Sequence, residues 1–94
     1  MTIRLSDNQI ETSLEGLPEW SEVSGKIQRT YQLAGFLEAM AFVGKVAEYA
    51  ERVQHHPDIL IRYDMVTLTV STHDAGGITE KDFALASEAD SLAG

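Results

Sequence analysis

The stretch from Ala34 to Gln54 constrains this chain more than any other. Phe36, Met40, Val43, Val46, Ala47, Ala50 and Val53 recur at spacings of three and four, with Glu38, Lys45, Glu48 and Arg52 largely between them, a period that predicts one long amphipathic helix. Pro57 disfavours helical geometry at His56, so this helix is expected to stop at or just before the pair His55-His56. A helix with such a stripe needs an apolar surface to lie on. Segments on either side supply one. Trp20 to Leu33 alternates loosely through Ile27, Arg29, Tyr31 and Leu33, with Ser24-Gly25 as the turn of a hairpin. Ile59 to Tyr63 and Val66 to Thr72 read as a second strand pair around a turn near Asp64-Met65, and Val66, Leu68 and Val70 alternate there with Thr67, Thr69 and Ser71.

Two shorter helices complete the pattern. Ser6 and Gln9 have capping-box spacing, and Leu5 and Ile10 stand where a hydrophobic staple would, so a helix is expected to start at Asp7 and to end by Gly16 and Pro18. Gly76-Gly77 reads as a flexible loop. Thr79, three residues before Asp82, has N-cap spacing for a last helix containing Phe83, Ala86 and Ala89. The order α-β-β-α-β-β-α predicts an α+β fold: one four-stranded antiparallel sheet with the helices on one face, in a single domain over residues 1–94.

Composition narrows the function classes. A chain of 94 residues buries only about 60–65% of its unfolded surface, so subunit association is an expected source of further stability. Seven basic against fifteen acidic residues give a net charge of −8, which repels a polyanion and argues against direct nucleic-acid binding. There is no cysteine, hence no disulfide or thiolate chemistry. The first residues, Met1 to Asp7, lack the apolar run of a signal peptide, and no apolar stretch approaches the ~20 residues that span a bilayer. A soluble cytoplasmic protein without membrane contact is expected.

The chemistry is concentrated in three histidines, His55, His56 and His73. Imidazole has an unperturbed pKa of about 6.5 and so exchanges protons near neutrality. Glu51 and His55 are four apart, which on a helix puts the carboxylate beside the imidazole, with His56 pointing elsewhere. His73 arrives at the end of a strand and Asp82 in the first turn of the last helix. One pocket at this end of the sheet is expected to collect all five groups.

Written out, the pattern is Glu51-x3-His55-His56-Pro57-x5-Tyr63-x9-His73-x8-Asp82. It resembles the signature of the pterin-4a-carbinolamine dehydratases at every fixed position. The likeness extends upstream to Trp20 and Arg29-x-Tyr31-x-Leu33-x2-Phe36-x2-Ala39-x2-Phe42, and downstream through Thr72-His73-Asp74-Ala75-Gly76-Gly77-Ile78-Thr79. Asp64, Leu33 and the bacterial-like run Ile59 to Arg62 depart mildly from that pattern.

The resemblance implies the same element order. It also implies dehydration of a 4a-hydroxytetrahydropterin to the quinonoid dihydropterin, the step that recycles the tetrahydrobiopterin-type cofactor of aromatic amino acid hydroxylases, without metal or organic cofactor. By position, it makes His55 and His73 the main acid/base groups, His56 a substrate-binding and supporting group, and Glu51 and Asp82 orienting carboxylates. Trp20 and Pro57 would help shape the flat slot for the pterin. A homodimer or homotetramer is implied, with the apolar excess of the long helix as a subunit contact. The alternative function is a dehydratase-like scaffold that assembles a partner protein.

Plainer roles stand beside these. The histidine pair could cap a helix, Asp82 could serve only the capping box of Thr79, and Trp20 could be ordinary core. A zinc site of three histidines is disfavoured, because adjacent histidines at a helix end diverge and no His-x-Glu or His-Glu-x-x-His spacing is present.

Overall fold

A computed structural model describes residues 2–94; Met1, which entered the signal-peptide expectation, lies outside the described residues. The elements are α1 (Asp7–Glu15), β1 (Ser21–Val23), β2 (Lys26–Gln32), α2 (Phe36–Val53), β3 (Asp58–Arg62), β4 (Met65–Val70), a 3₁₀ turn (His73–Ala75) and α3 (Glu80–Ala93). All strand pairs are antiparallel, in the order β1-β2-β4-β3. The expected α+β architecture is therefore present. Among the described residues, no helix is long and apolar enough to cross a membrane.

Local chemistry explains the boundaries. Ser6 caps α1 by accepting from the Gln9 N–H, and the Gln9 side chain returns the bond to the Ser6 N–H, which satisfies two otherwise orphaned donors. The first hairpin turns at Ser24 and Gly25, with φ of 52° and 78°; two residues at positive φ match the right-handed twist of the flanking strands. The second hairpin turns one residue earlier than expected. Arg62 pairs with Met65, so Tyr63 and Asp64 form the turn, and Tyr63 takes a φ of 57°. Helix α2 ends at Val53 because Gln54 adopts the left-handed conformation, φ 56° and ψ 45°, ahead of the restriction that Pro57 imposes on His56.

The core lies between the sheet and the helices. Ile27 and Tyr31 of β2 and Val66, Leu68 and Val70 of β4 are buried on the helix side, each at 3% exposure or less. They meet Ala39, Phe42, Val46 and Ala50 of α2 and Leu85, Ala86 and Ala89 of α3. Each large apolar side chain buried in this way contributes roughly 1.5–3 kcal/mol. The buried stripe of α2 is shifted from the expected one. Phe36, Met40 and Val53 remain 47%, 40% and 43% exposed, because Ala39 and Phe42 face the sheet and carry the neighbouring helical positions outward.

Candidate active site

The left-handed residue at Gln54 decides where the histidines go. It swings the chain off the helix axis, so the spacing of four between Glu51 and His55 no longer places them together. His55 turns toward α3, where its Nε2 lies 2.6 Å from Oδ1 of Asp82. His56 takes the opposite direction, and its Nε2 lies 2.9 Å from Oε1 of Glu51. The expected Glu51–His55 contact is thus corrected to Glu51–His56. The five groups form two pairs and a separate His73 rather than one cluster.

Asp82 is held from every side. It is fully buried at 0% exposure, and its Oδ2 accepts from the Thr79 N–H at 2.8 Å and from the Thr72 hydroxyl at 3.0 Å. With His55 on Oδ1, donors approach both carboxylate oxygens, which is what a buried carboxylate requires. Asp82 also closes the capping box of α3 with Thr79. Capping and histidine contact coexist in the one side chain. An Nε2–H donated to Asp82 fixes the tautomer of His55 and leaves Nδ1 as the acceptor. Among the described residues, that nitrogen has no hydrogen-bond partner and is not enclosed.

His73 stands on the turn after β4. The burial alternation of that strand runs on through a buried Thr72 to an exposed His73, and the loop is closed by the Thr72–Gly77 bridge. Gly76 supplies the left-handed residue, φ 74°. A Cβ at Gly77 would stand 2.5 Å from Cδ of the exposed Arg4 side chain, and the Leu5 N–H donates to the Ile78 carbonyl at 2.8 Å. The segment expected to be a flexible loop is therefore strapped by the N-terminal arm. His73 makes no side-chain hydrogen bond among the described residues and is joined to the Asp82 network through its neighbour Thr72.

Pro57 is half-buried and immediately precedes β3. His56 also lines a polar cavity of about 180 Å³ with Lys26, Asp58, Thr69 and Ser71. Trp20 is the other correction. It is 3% exposed, its indole N–H donates to Asp90 at 3.0 Å, and its ring meets Tyr31 edge-on at 6.3 Å. Within the chain it is core, with no face open to form a ligand slot. No group of three or more His, Asp or Glu among the described residues is arranged to hold a metal ion.

Sequence reasoning missed Thr72 and Asp90. The signal for Thr72 was its place on the inward phase of β4 with Val66, Leu68 and Val70, where a hydroxyl must find a buried partner. Arg29 and Tyr31 share the inward phase of β2, and their partner is Asp90, which also receives the Arg29 guanidinium at 2.8 Å and the Tyr31 hydroxyl at 2.5 Å. Burial, and then the bond to Asp90, push the Tyr31 phenol well above the ordinary tyrosine range.

Comparison with known proteins identifies the family. The pattern of the family described as Pterin 4 alpha carbinolamine dehydratase matches residues 3–92. A protein of Picosynechococcus sp. that carries the provisional name pterin-4-alpha-carbinolamine dehydratase is 51% identical, over 98% of this chain and 100% of its own length. A protein of Chloroflexus aurantiacus with the same provisional name is 53% identical over 97% of this chain and 98% of its own. The crystal structure of a transcriptional coactivator/pterin dehydratase from Brucella melitensis superposes with a TM-score of 0.93 at 32% identity, covering 97% of this chain and 99% of that one. A pterin dehydratase-like protein described as a RuBisCO assembly factor in the alpha-carboxysome shares the fold, with a TM-score of 0.66 at 22% identity over 80% of this chain and 87% of that one. The chain belongs to the pterin-4-alpha-carbinolamine dehydratase family.

Proposed function

We propose that this protein dehydrates a 4a-hydroxytetrahydropterin to the quinonoid dihydropterin, and so recycles a tetrahydrobiopterin-type cofactor in the cytoplasm. The observation that carries this is the His55–Asp82 pair at 2.6 Å, cradled beside the loop that displays His73. Water is eliminated across the C4a–N5 bond. The C4a–O bond breaks with its electron pair going to oxygen, N5 loses its proton, and its electrons form the C4a–N5 double bond. One proton is taken up and one released, so nothing is oxidised or reduced, and no metal or organic cofactor is required.

His55 is the base of this scheme. Asp82 holds its Nε2–H, so Nδ1 takes the N5 proton and Asp82 stabilises the resulting imidazolium. His73, exposed and without a carboxylate partner among the described residues, delivers the proton to the departing hydroxyl. His56, steadied by Glu51 and facing the polar cavity, binds polar atoms of the substrate, and Pro57 stiffens the chain between the two histidines. General acid/base groups of this kind contribute about 10²–10⁴-fold each.

The test is to generate the 4a-hydroxypterin in situ and follow the quinonoid product by absorbance with wild type, His55→Ala and His73→Ala. A rise in rate with wild type that both variants abolish is expected. Equal rates for wild type and a no-protein control would overturn the enzyme.

A second role, in assembling proteins, is favoured by one observation. Phe36 and Tyr63 stack with centroids 6.4 Å apart, and with Leu37 and Met40 they expose apolar surface at 47%, 70%, 77% and 40% respectively. Relatives described as a coactivator and an assembly factor are consistent with such a surface. Its first occupant in this proposal is another copy of the chain, giving a homodimer or homotetramer. A monomeric mass by light scattering at micromolar concentration would reject that.

A further inference from the structure

Thr72 has no part in the reaction just described, yet it touches both arms of the histidine arrangement. Its main chain closes the His73 loop: the N–H donates to the Gly77 carbonyl at 2.8 Å, and the carbonyl accepts from Ala75 at 3.1 Å and from Gly77 at 3.3 Å. Its side chain faces inward. There the hydroxyl lies 3.0 Å from Oδ2 of Asp82 and 2.6 Å from the hydroxyl of Thr79.

A proton count gives this network a direction. Thr72 has one hydroxyl proton, and the carboxylate is only an acceptor, so that proton goes to Asp82. The short contact between the threonines is then donated by Thr79, whose oxygen in turn accepts from the Lys81 N–H at 3.2 Å. The chain runs Thr79 to Thr72 to Asp82, with the His55 Nε2–H arriving from the other side. Thr72, Thr79 and Asp82 are 6%, 0% and 0% exposed, so no water competes for these bonds.

Capping does not explain Thr72. The capping box of α3 is complete with Thr79 and Asp82 alone. Nor does packing, since the neighbouring inward positions of β4 are filled by Val66, Leu68 and Val70, and valine has nearly the shape of threonine. We infer that Thr72 is a positioning residue: its hydroxyl holds the Asp82 carboxylate in the rotamer that receives His55 Nε2–H, while its backbone holds the turn bearing His73. The two imidazoles thereby keep a fixed relation to one another. The kinetic part rests on the proposed dehydratase function, whereas the effect on His55 is readable without it.

The test uses Thr72→Val, which removes the hydroxyl at nearly constant shape, and Thr72→Ser, which keeps it. Nitrogen-15 spectra of the imidazoles, taken at a pH where they are neutral, report the tautomer directly. Wild type and Thr72→Ser are expected to hold His55 in the Nε2–H form, and Thr72→Val to populate the Nδ1–H form as well. In turnover, Thr72→Val is expected to lower kcat on the order of 10-fold with KM nearly unchanged, and Thr72→Ser to restore it, because losing an orienting partner displaces an imidazole without removing it. If Thr72→Val does not fold, Thr72→Ala carries the same comparison. A folded variant with wild-type tautomer and kcat overturns the inference, as does a Thr72→Ser that fails to restore either. An inactive wild type whose Thr72→Val variant still shifts the tautomer overturns the dehydratase instead and leaves the positioning role standing.

Discussion

His55 and His56 are neighbours in the chain, each meets a carboxylate, and the two pairs differ in almost everything else. The side chains of His55 and Asp82 are 12% and 0% exposed at a separation of 2.6 Å, whereas those of His56 and Glu51 are 56% and 75% exposed at 2.9 Å. In water a histidine–glutamate contact is screened and mobile. Its contribution is usually below about 1 kcal/mol. At the fully buried Asp82 the same chemistry meets little competing solvent, and the carboxylate is fixed by two further donors besides the imidazole. Position against solvent, not residue type, decides which pair can set a tautomer and which can only adjust a surface.

Removing the buried carboxylate is the largest perturbation available. Asp82→Asn keeps the shape but brings an amide N–H₂ where only acceptors fit, and it strips His55 of its anionic partner. A fall in kcat on the order of 100-fold or more is expected. Asp82→Ala, which also orphans the Thr72 hydroxyl and the Thr79 N–H, should cost about 3 kcal/mol in urea unfolding. A variant within threefold of wild type in kcat would break the distinction between the pairs.

Asp90 sharpens the comparison because it sits on the same helix, about two turns beyond Asp82, and gathers three side chains where Asp82 gathers two and a backbone N–H. Its partners are the Trp20 indole, the Arg29 guanidinium and the Tyr31 hydroxyl, with the guanidinium 4.2 Å over the Tyr31 ring. None is placed in the reaction proposed here. Asp90→Ala should therefore lower stability by about 2–3 kcal/mol while leaving kcat near wild type, and Trp20 fluorescence should report the loss. An equal loss of kcat and stability would show that the two ends of α3 are not independent.

Tyr31 gives that network a pH dependence with a definite sign. Burial, and then its bond to Asp90, raise the phenol above its ordinary value, so above pH ~10 the unfolded chain releases a proton that the folded chain retains. Its contribution to stability is complete below about pH 10 and is lost as the pH rises further. The urea midpoint of wild type should fall more steeply than that of Tyr31→Phe between pH 9 and 11, even though the variant starts about 1 kcal/mol lower. Parallel curves would reject the assignment.

What the sequence made legible was local. Ser6 with Gln9, Thr79 with Asp82, Ser24-Gly25 and the alternation of β4 each specify an element through contacts a few residues apart, and each element formed. What escaped depended on one dihedral or on distant packing. Spacing of four joins Glu51 to His55 only if the helix continues, and the left-handed Gln54 ends it one residue too soon. Trp20 belongs to a polar network whose acceptor is seventy positions away, beyond the reach of any local periodicity. The inward phase of Arg29, Tyr31 and Thr72 did contain a warning, since a polar group on a buried face needs a partner, but not the partner's name.

Glu51 offers the smallest effect and the sharpest control. Glu51→Gln keeps a hydrogen-bond acceptor at the same reach and removes only the charge, on a side chain that is 75% exposed. Stability should change by less than about 0.5 kcal/mol. If Glu51 merely steadies His56 at the mouth of the polar cavity, KM should rise by a small factor with kcat unchanged, and the difference from wild type should shrink as salt is added, because an exposed pair is screened over about 10 Å at 0.1 M ionic strength. A large loss of kcat that is indifferent to salt would mean that the carboxylate acts on the reacting atoms themselves. The exposed pair would then share the role assigned to Asp82, and burial would no longer separate the two histidines.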